Sequence, residues 1–323
     1  MNRRLLWPLL ALAALLLLNL VANPSFFALR LQDGHLFGSL VDVLRNGAPT
    51  LLIALGMTLV IATRGIDLSV GAVVAIAGAV TCTHIAGGGG ALGGMALALA
   101  LCAVLGLWNG FLVSVLGIQP IIATLVLMTA GRGIAMLVTE GQIITVDNPA
   151  FREIGAGFLF LPISILISLA ALAATALVTR RTALGMLIES VGVNPEASRL
   201  AGVRSRTIIW TVYVFAALCA GVAGLMISSN VSAADANNAG LWIEMDAILA
   251  VVIGGTSLAG GRYSLTGTLL GALVIQTLTT TIYTIGVPPE VTLVFKAIVV
   301  IAVCLLQAPA LSRVFARREA VAA

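Results

Sequence analysis

Hydrophobic positions fill this chain in long runs, and polar residues gather in the short gaps between them. Ten apolar segments lie near 5–22, 45–63, 68–86, 92–116, 121–138, 159–178, 208–228, 244–258, 264–285 and 291–310. Most approach or exceed the roughly 20 apolar residues that cross a bilayer core as a helix. The pattern predicts an all-α fold, a polytopic transmembrane helical bundle of about 10 spans, as a single domain over residues 1–323. The Arg3-Arg4 start before the first run also fits a signal peptide. That run is long for one, however, and no small-x-small cleavage site follows, so it is read as the first span.

One stretch departs from the apolar pattern. Residues 179–207, TRRTALGMLIESVGVNPEASRLAGVRSRT, carry five arginines and two glutamates between hydrophobic runs. Leu184, Leu187, Ile188 and Val191 recur at the spacing of one helical face, and Gly192 reads as the residue that ends that helix. Asn194, Pro195 and Glu196 then supply an N-cap, a proline at the first helical position and an acid in the first turn of a second short helix. Gly202 closes it. Two short amphipathic helices suit docking to a soluble partner; a plain solvated loop fits the same spacing.

Composition agrees with the membrane reading: 60% hydrophobic residues and 9% charged, with a mean hydropathy of +1.13. The net charge of +4 does not indicate nucleic-acid binding, because the arginines are dispersed among loops. Their placement reports topology. Threading ten spans alternately puts Arg3, Arg4, Arg64, Arg180, Arg181, Arg199, Arg204, Arg206, Arg262, Arg313, Arg317 and Arg318 on the side of both termini. Only Arg30, Arg45 and Arg152 fall opposite. Such an asymmetry predicts cytoplasmic termini and a cytoplasmic 179–207 segment. Cys82, Cys102, Cys219 and Cys304 sit in apolar runs without CxxC spacing, so they read as small core residues, and two histidines do not suggest a metal centre.

No GxxxxGK[ST] phosphate loop is present, and the one lysine, Lys296, lies in the last apolar run. If ATP drives this protein, another polypeptide binds it. No catalytic constellation is indicated either. Two glycine-rich breaks interrupt the spans. One contains Gly65, Asp67, Ser69 and Gly71; the other contains Gly254, Gly255, Ser257, Gly260 and Gly261. They suit gating backbone buried in protein or lining a wet cavity, and equally close helix packing. Asp67 is placed to cap the next helix or to pair with Arg64. Polar residues in or beside spans mark a candidate solute pathway: Asn109, Thr124, Arg132, Asn230, Asn237, Asn238 and Asp246. Amides, hydroxyls and carboxylates suit a polyhydroxylated solute, although any one of them also serves as a bond between helices.

GIDLSVG at 65–71, GVNPEASRLAGV at 192–203, EMDAI at 244–248 and AVVIGGTSLAGGR at 250–262 together resemble the bacterial monosaccharide ABC-importer permeases. This is the ribose/xylose/arabinose/galactose permease family. LQDGHLFGS at 31–39 and ADANNAGLW at 234–242 are most similar to its galactofuranose-type branch. By that resemblance Gly192, Asn194, Ala197, Ala201 and Gly202 match the family's ATPase-coupling segment, and Glu189, Pro195, Glu196 and Leu200 fall within it. The resemblance implies a multi-pass protein of the bacterial cytoplasmic (inner) membrane. Its implied partners are ABC ATPase subunits that carry ATP and magnesium, a second permease, alike or different, and a periplasmic sugar-binding protein. The chain itself would bind no cofactor. Arg64 departs from the glycine that many relatives carry there. An ion-coupled secondary sugar transporter is the rival reading, since spans with internal breaks and buried charge also serve that mechanism.

Overall fold

The computed structural model describes residues 3–32, 35–286, 291, 293–298 and 301. Helix α1 (Arg3–Ala22) and α2 (Ser39–Ala62) are followed by α3 (Val70–Ala86), α4 (Ala91–Ser114) and α5 (Pro120–Val138). A short α6 (Pro149–Ala156) leads into α7 (Ile163–Arg181), and α8 (Leu184–Val193) and α9 (Pro195–Leu200) form a corner. Helices α10 (Ser205–Val231), α11 (Ile243–Ile253) and α12 (Leu265–Thr284) follow, and residues 293–298 are helical as well. The all-α, multi-pass character predicted from hydropathy is what is found, and six of these helices are long and apolar enough to cross a membrane. Most of the tenth predicted span, 291–310, lies outside the described residues, as do Cys304 and the C-terminal arginines.

Two helix boundaries differ from the pattern. Helix α2 starts at Ser39, six residues early, with its polar first turn running on from Gly38. Helix α11 has only 11 residues, about 16 Å of rise against a bilayer core of about 30 Å. It stops at Ile253, and Gly255, Gly260 and Gly261 then take positive φ, so the rest of the predicted 244–258 segment is irregular backbone. Two small antiparallel ladders, unforeseen in the sequence, stitch the loops. β1 (Arg30–Gln32) pairs with β2 (His35–Phe37), and β3 (Ile144–Thr145) pairs with β4 (Ala233–Ala234).

The core follows from side-chain size. Helix α10 packs on α2, α3 and α4, and small residues let the backbones close in. A Cβ on Gly56 would lie 2.7 Å from the Ala216 Cα, and one on Gly106 would lie 2.7 Å from the Val214 Cα. Helices α2 and α3 are apolar around their circumference and buried nearly throughout, as a central helix should be. Helices α4, α5 and α7 instead leave broad apolar faces exposed, including Leu97, Val104, Leu125, Val126 and Leu177. Cys82, Cys102 and Cys219 are buried free thiols in this packing.

Candidate functional site

The sequence of α8 and α9 builds a corner with a buried face and an open one. Ile188 is fully buried against the ends of α2 and α10, beside Leu59, Val60, Val212 and Tyr213. Helix α8 does not end at Gly192, as the local pattern suggests, but runs to Val193. Gly192 is there for a tertiary reason: a Cβ would sit 1.8 Å from the Ala62 carbonyl oxygen at the end of α2. The Asn194 side chain then accepts hydrogen bonds from the Glu196 and Ala197 amides, each at 3.0 Å, with Pro195 in the first turn of α9. Gly202 closes that helix at φ +86. On the open face Val193 is 61% and Leu200 77% exposed. Beside them Glu196 and Arg199 pair at 2.6 Å, and the Arg199 guanidinium holds the Glu196 carboxyl below its usual range.

The two glycine breaks meet this corner. The Gly261 amide donates to the Ala62 carbonyl at 2.9 Å. Arg64 Nε donates to the Ala259 carbonyl at 3.1 Å, and its Nη2 donates to the Val193 carbonyl. Arg64 therefore ties the end of α2, the end of α8 and the 254–262 loop into one knot. It does not pair with Asp67, the alternative that sequence proximity offered. Asp67 turns inward, where its Oδ1 accepts from the Ser69 amide at 2.9 Å and the Ser69 hydroxyl at 2.6 Å. Burial pushes its carboxyl above the usual range, against those two bonds. Asn109 Nδ2 donates to Ser69 Oγ at 2.9 Å. Thr124 Oγ1 donates to the Ile66 carbonyl at 3.2 Å and accepts from the Leu68 amide at 3.1 Å. Asn109 and Thr124 thus fasten α4 and α5 to the first break.

The remaining pathway candidates lie toward the other end of the bundle, in three places. Arg132 Nη1 donates to the Ala236 and Ala239 carbonyls at 3.0 and 2.7 Å, pinning the loop before α11. In that loop Asp235 caps the Asn237 and Asn238 amides and accepts from Asn238 Nδ2 at 2.7 Å, a bond that holds the Asp235 carboxyl low. Beneath it the carboxylate of Glu244, 2% exposed, packs against Gly71, where a Cβ would meet Glu244 Oε2 at 2.5 Å. Asn230 is elsewhere: it accepts from Arg45 Nη2 at 2.5 Å at the rim of a cavity of about 170 Å³ shared with Ser164. Asp246 turns to a partner that the sequence did not suggest. Lys296 Nζ lies 3.0 and 2.7 Å from its two carboxylate oxygens. Both are polar residues within apolar runs, which was the available signal, but 50 positions separate them.

The fold is a multi-pass helical membrane protein whose glycine breaks converge on a two-helix corner with an exposed face. Residues 39–304 match the family described as branched-chain amino acid transport system / permease component. The chain is 50% identical over 312 residues to the galactofuranose transporter permease protein YtfT of Escherichia coli, covering 95% of this chain and 92% of that one. It is 41% identical to the fructose import permease protein FruF of Bifidobacterium longum, over 96% and 89% of the two chains. With the ribose import permease protein RbsC of E. coli the identity is 36%, over 91% and 90%. The chain belongs to this permease family. No solved structure matches it.

Proposed function

We propose that the chain is the membrane-spanning permease subunit of an ATP-driven sugar importer, and that the α8–α9 corner is where its ATPase docks. The observation that carries the coupling assignment is the convergence at Arg64 and Gly192. A push on the exposed face of α8 and α9 bears directly on both glycine breaks, and through the first of them on α4 at Ser69 and on α5 at Ile66 and Leu68. The relatives' names support sugar as the cargo, and identity to YtfT favours a galactofuranose-like monosaccharide. In this reading one permease domain threads the inner membrane about ten times. Its termini and the corner are cytoplasmic, in line with the arginine asymmetry. ATP and magnesium reside on a partner ATPase, and a second permease and a periplasmic binding protein complete the importer. The sugar passes near Arg132, Asn237, Asn238 and Asp246 without any bond being broken.

The test is a mild-detergent pull-down from native membranes, paired with sugar uptake. An ABC ATPase is expected in stoichiometric yield. Gly202→Glu, which forces a bulky charge into a left-handed backbone, is expected to abolish both capture and uptake while the chain still inserts. Uptake that persists without any ATPase, driven by an ion gradient, would refute the reading.

A further inference from the structure

Tyr213 of α10 is fully buried, and among the described residues its hydroxyl has no hydrogen-bond partner. A buried tyrosine hydroxyl ordinarily finds one, and its lack calls for an explanation. Other buried atoms share the condition and have simpler accounts. The Ser114 and Ser228 hydroxyls can turn to a carbonyl of their own helix, and Asn19 already donates twice through its amide nitrogen. A tyrosine has no such local recourse, because its oxygen stands where the rigid ring puts it.

The place of that oxygen is informative. The Tyr213 ring belongs to the same buried cluster as Ile188 of α8 and Leu59 and Val60 of α2, beneath the α8–α9 corner. Its tip reaches the first glycine break: a Cβ on Gly65 would lie 2.6 Å from the hydroxyl oxygen. Asp67, two residues on, is 1% exposed and close enough to act on the hydroxyl electrostatically. Both hydrogen bonds to Asp67 fall on Oδ1, and neither engages Oδ2. Asn109, which is tied to the same break through Ser69, has a buried Oδ1 without a partner among the described residues. A donor without an acceptor thus stands beside a break that holds acceptors without donors.

We infer that Tyr213 is a positioning residue of the coupling step: when the corner moves, its hydroxyl donates to the Asp67 carboxylate and holds the first break in a second arrangement. The ring is the link, since a displacement of α8 felt at Ile188 passes through the shared cluster to Gly65 and Asp67. In the arrangement described here the hydroxyl makes no bond, and an unmet buried donor disfavours that arrangement. A charge-assisted bond to Asp67 favours the other. The balance between the two is thereby drawn closer, as a switching element requires. This inference rests on the transport reading and adds to it an interior route beside the surface knot at Arg64.

The test compares the parent, Tyr213→Phe, Asp67→Asn and the double variant. Each full chain is followed by thermal unfolding, by capture of the ATPase, and by ATP-driven uptake of labelled galactose, fructose and ribose. Tyr213→Phe is expected to unfold within about 2 °C of the parent or above it, because the lost hydroxyl had no bond, and to capture the ATPase as the parent does. Its maximal uptake rate is expected to fall on the order of tenfold, the worth of one hydrogen bond to a charged group, at an unchanged half-saturating sugar concentration. Asp67→Asn keeps an oxygen for Ser69 and loses the charge, so uptake should fall in the same way, and the double variant should fall no further. A purely structural hydroxyl gives the opposite pattern, and a midpoint several degrees lower in Tyr213→Phe with uptake kept would overturn the inference. So would uptake and unfolding both equal to the parent's, or loss of ATPase capture, which would place the hydroxyl in docking. Losses that multiply in the double variant would detach Tyr213 from Asp67 and overturn it too. A parent that captures no ATPase and takes up none of the three sugars would sink the transport reading and this inference with it, a result distinct from a working parent matched by Tyr213→Phe.

Discussion

Arg64 occupies backbone that suits glycine, at φ 65. A side chain in the left-handed region costs about 1–2 kcal/mol, and the two guanidinium bonds to Ala259 and Val193 return about 0.5–1 kcal/mol each. These terms nearly cancel, which orders the variants. Arg64→Gly removes strain and bonds together and is expected to unfold within about 1 kcal/mol of the parent. Arg64→Ala keeps the strain and loses the bonds, so it is expected to be less stable by about 1–2 kcal/mol. Thermal unfolding of the three purified proteins checks this: an alanine variant as stable as the parent would mean the bonds contribute nothing, and one as stable as the glycine variant would mean the strain contributes nothing. Sequence reading marked Arg64 as unusual and left Asp67 either to cap the next helix or to pair with it. The turn at Gly65 sends the two side chains opposite ways, one to the loop surface and one into the core, and no spacing rule encodes that. Gly192 makes the same point: its position was legible, whereas its reason, the Ala62 carbonyl, lies 130 residues away on another helix.

At the level of elements, α9 is too short to hold itself together. A helix of six residues lies well below the length at which isolated helices persist in water, so its cap and its junction with α10 decide whether it forms. Ser205 Oγ donates to the Pro195 carbonyl at 3.0 Å, closing the loop from the far side. Asn194→Ala is expected to cost about 1 kcal/mol of local stability, and Asn194→Asp should retain most of it. If α9 is the docking element, capture of the ATPase and sugar uptake fall several-fold in the alanine variant and are largely kept in the aspartate variant. Equal behaviour of the two variants in the pull-down would show that the cap has no bearing on docking. The exposed Glu196–Arg199 pair adds little, as surface pairs generally do. This cap was fully readable from the sequence because capping is local: donor, acceptor and proline fall within four residues. The length of α11 was not, because apolar character continues past Gly254 while the backbone leaves the helix at the glycines. Hydropathy reports what can be buried, and conformation is decided by what the glycines approach.

At the scale of the whole molecule, the pair between Asp246 and Lys296 links the half-length α11 to the helical stretch 293–298, two elements joined through all of α12. Their side chains are 22% and 13% exposed, so the pair lies between a surface bridge worth less than about 1 kcal/mol and a buried one whose rupture costs about 3–5 kcal/mol. A single neutralisation leaves one charge within an apolar run without its partner, and that desolvation dominates the loss. Asp246→Asn and Lys296→Gln are each expected to lower stability by about 1–3 kcal/mol and to reduce uptake. The exchange Asp246→Lys with Lys296→Asp restores the attraction at nearly the same geometry and should recover most of both. A role for Asp246 in touching the sugar predicts a different pattern: the exchange would regain thermal stability while uptake stayed low. Reading unfolding and uptake on the same four proteins therefore separates a strut between α11 and the 293–298 stretch from a side chain of the pathway. It does so at a position where the sequence foresaw a functional carboxylate and the fold supplies a cation from 50 residues away.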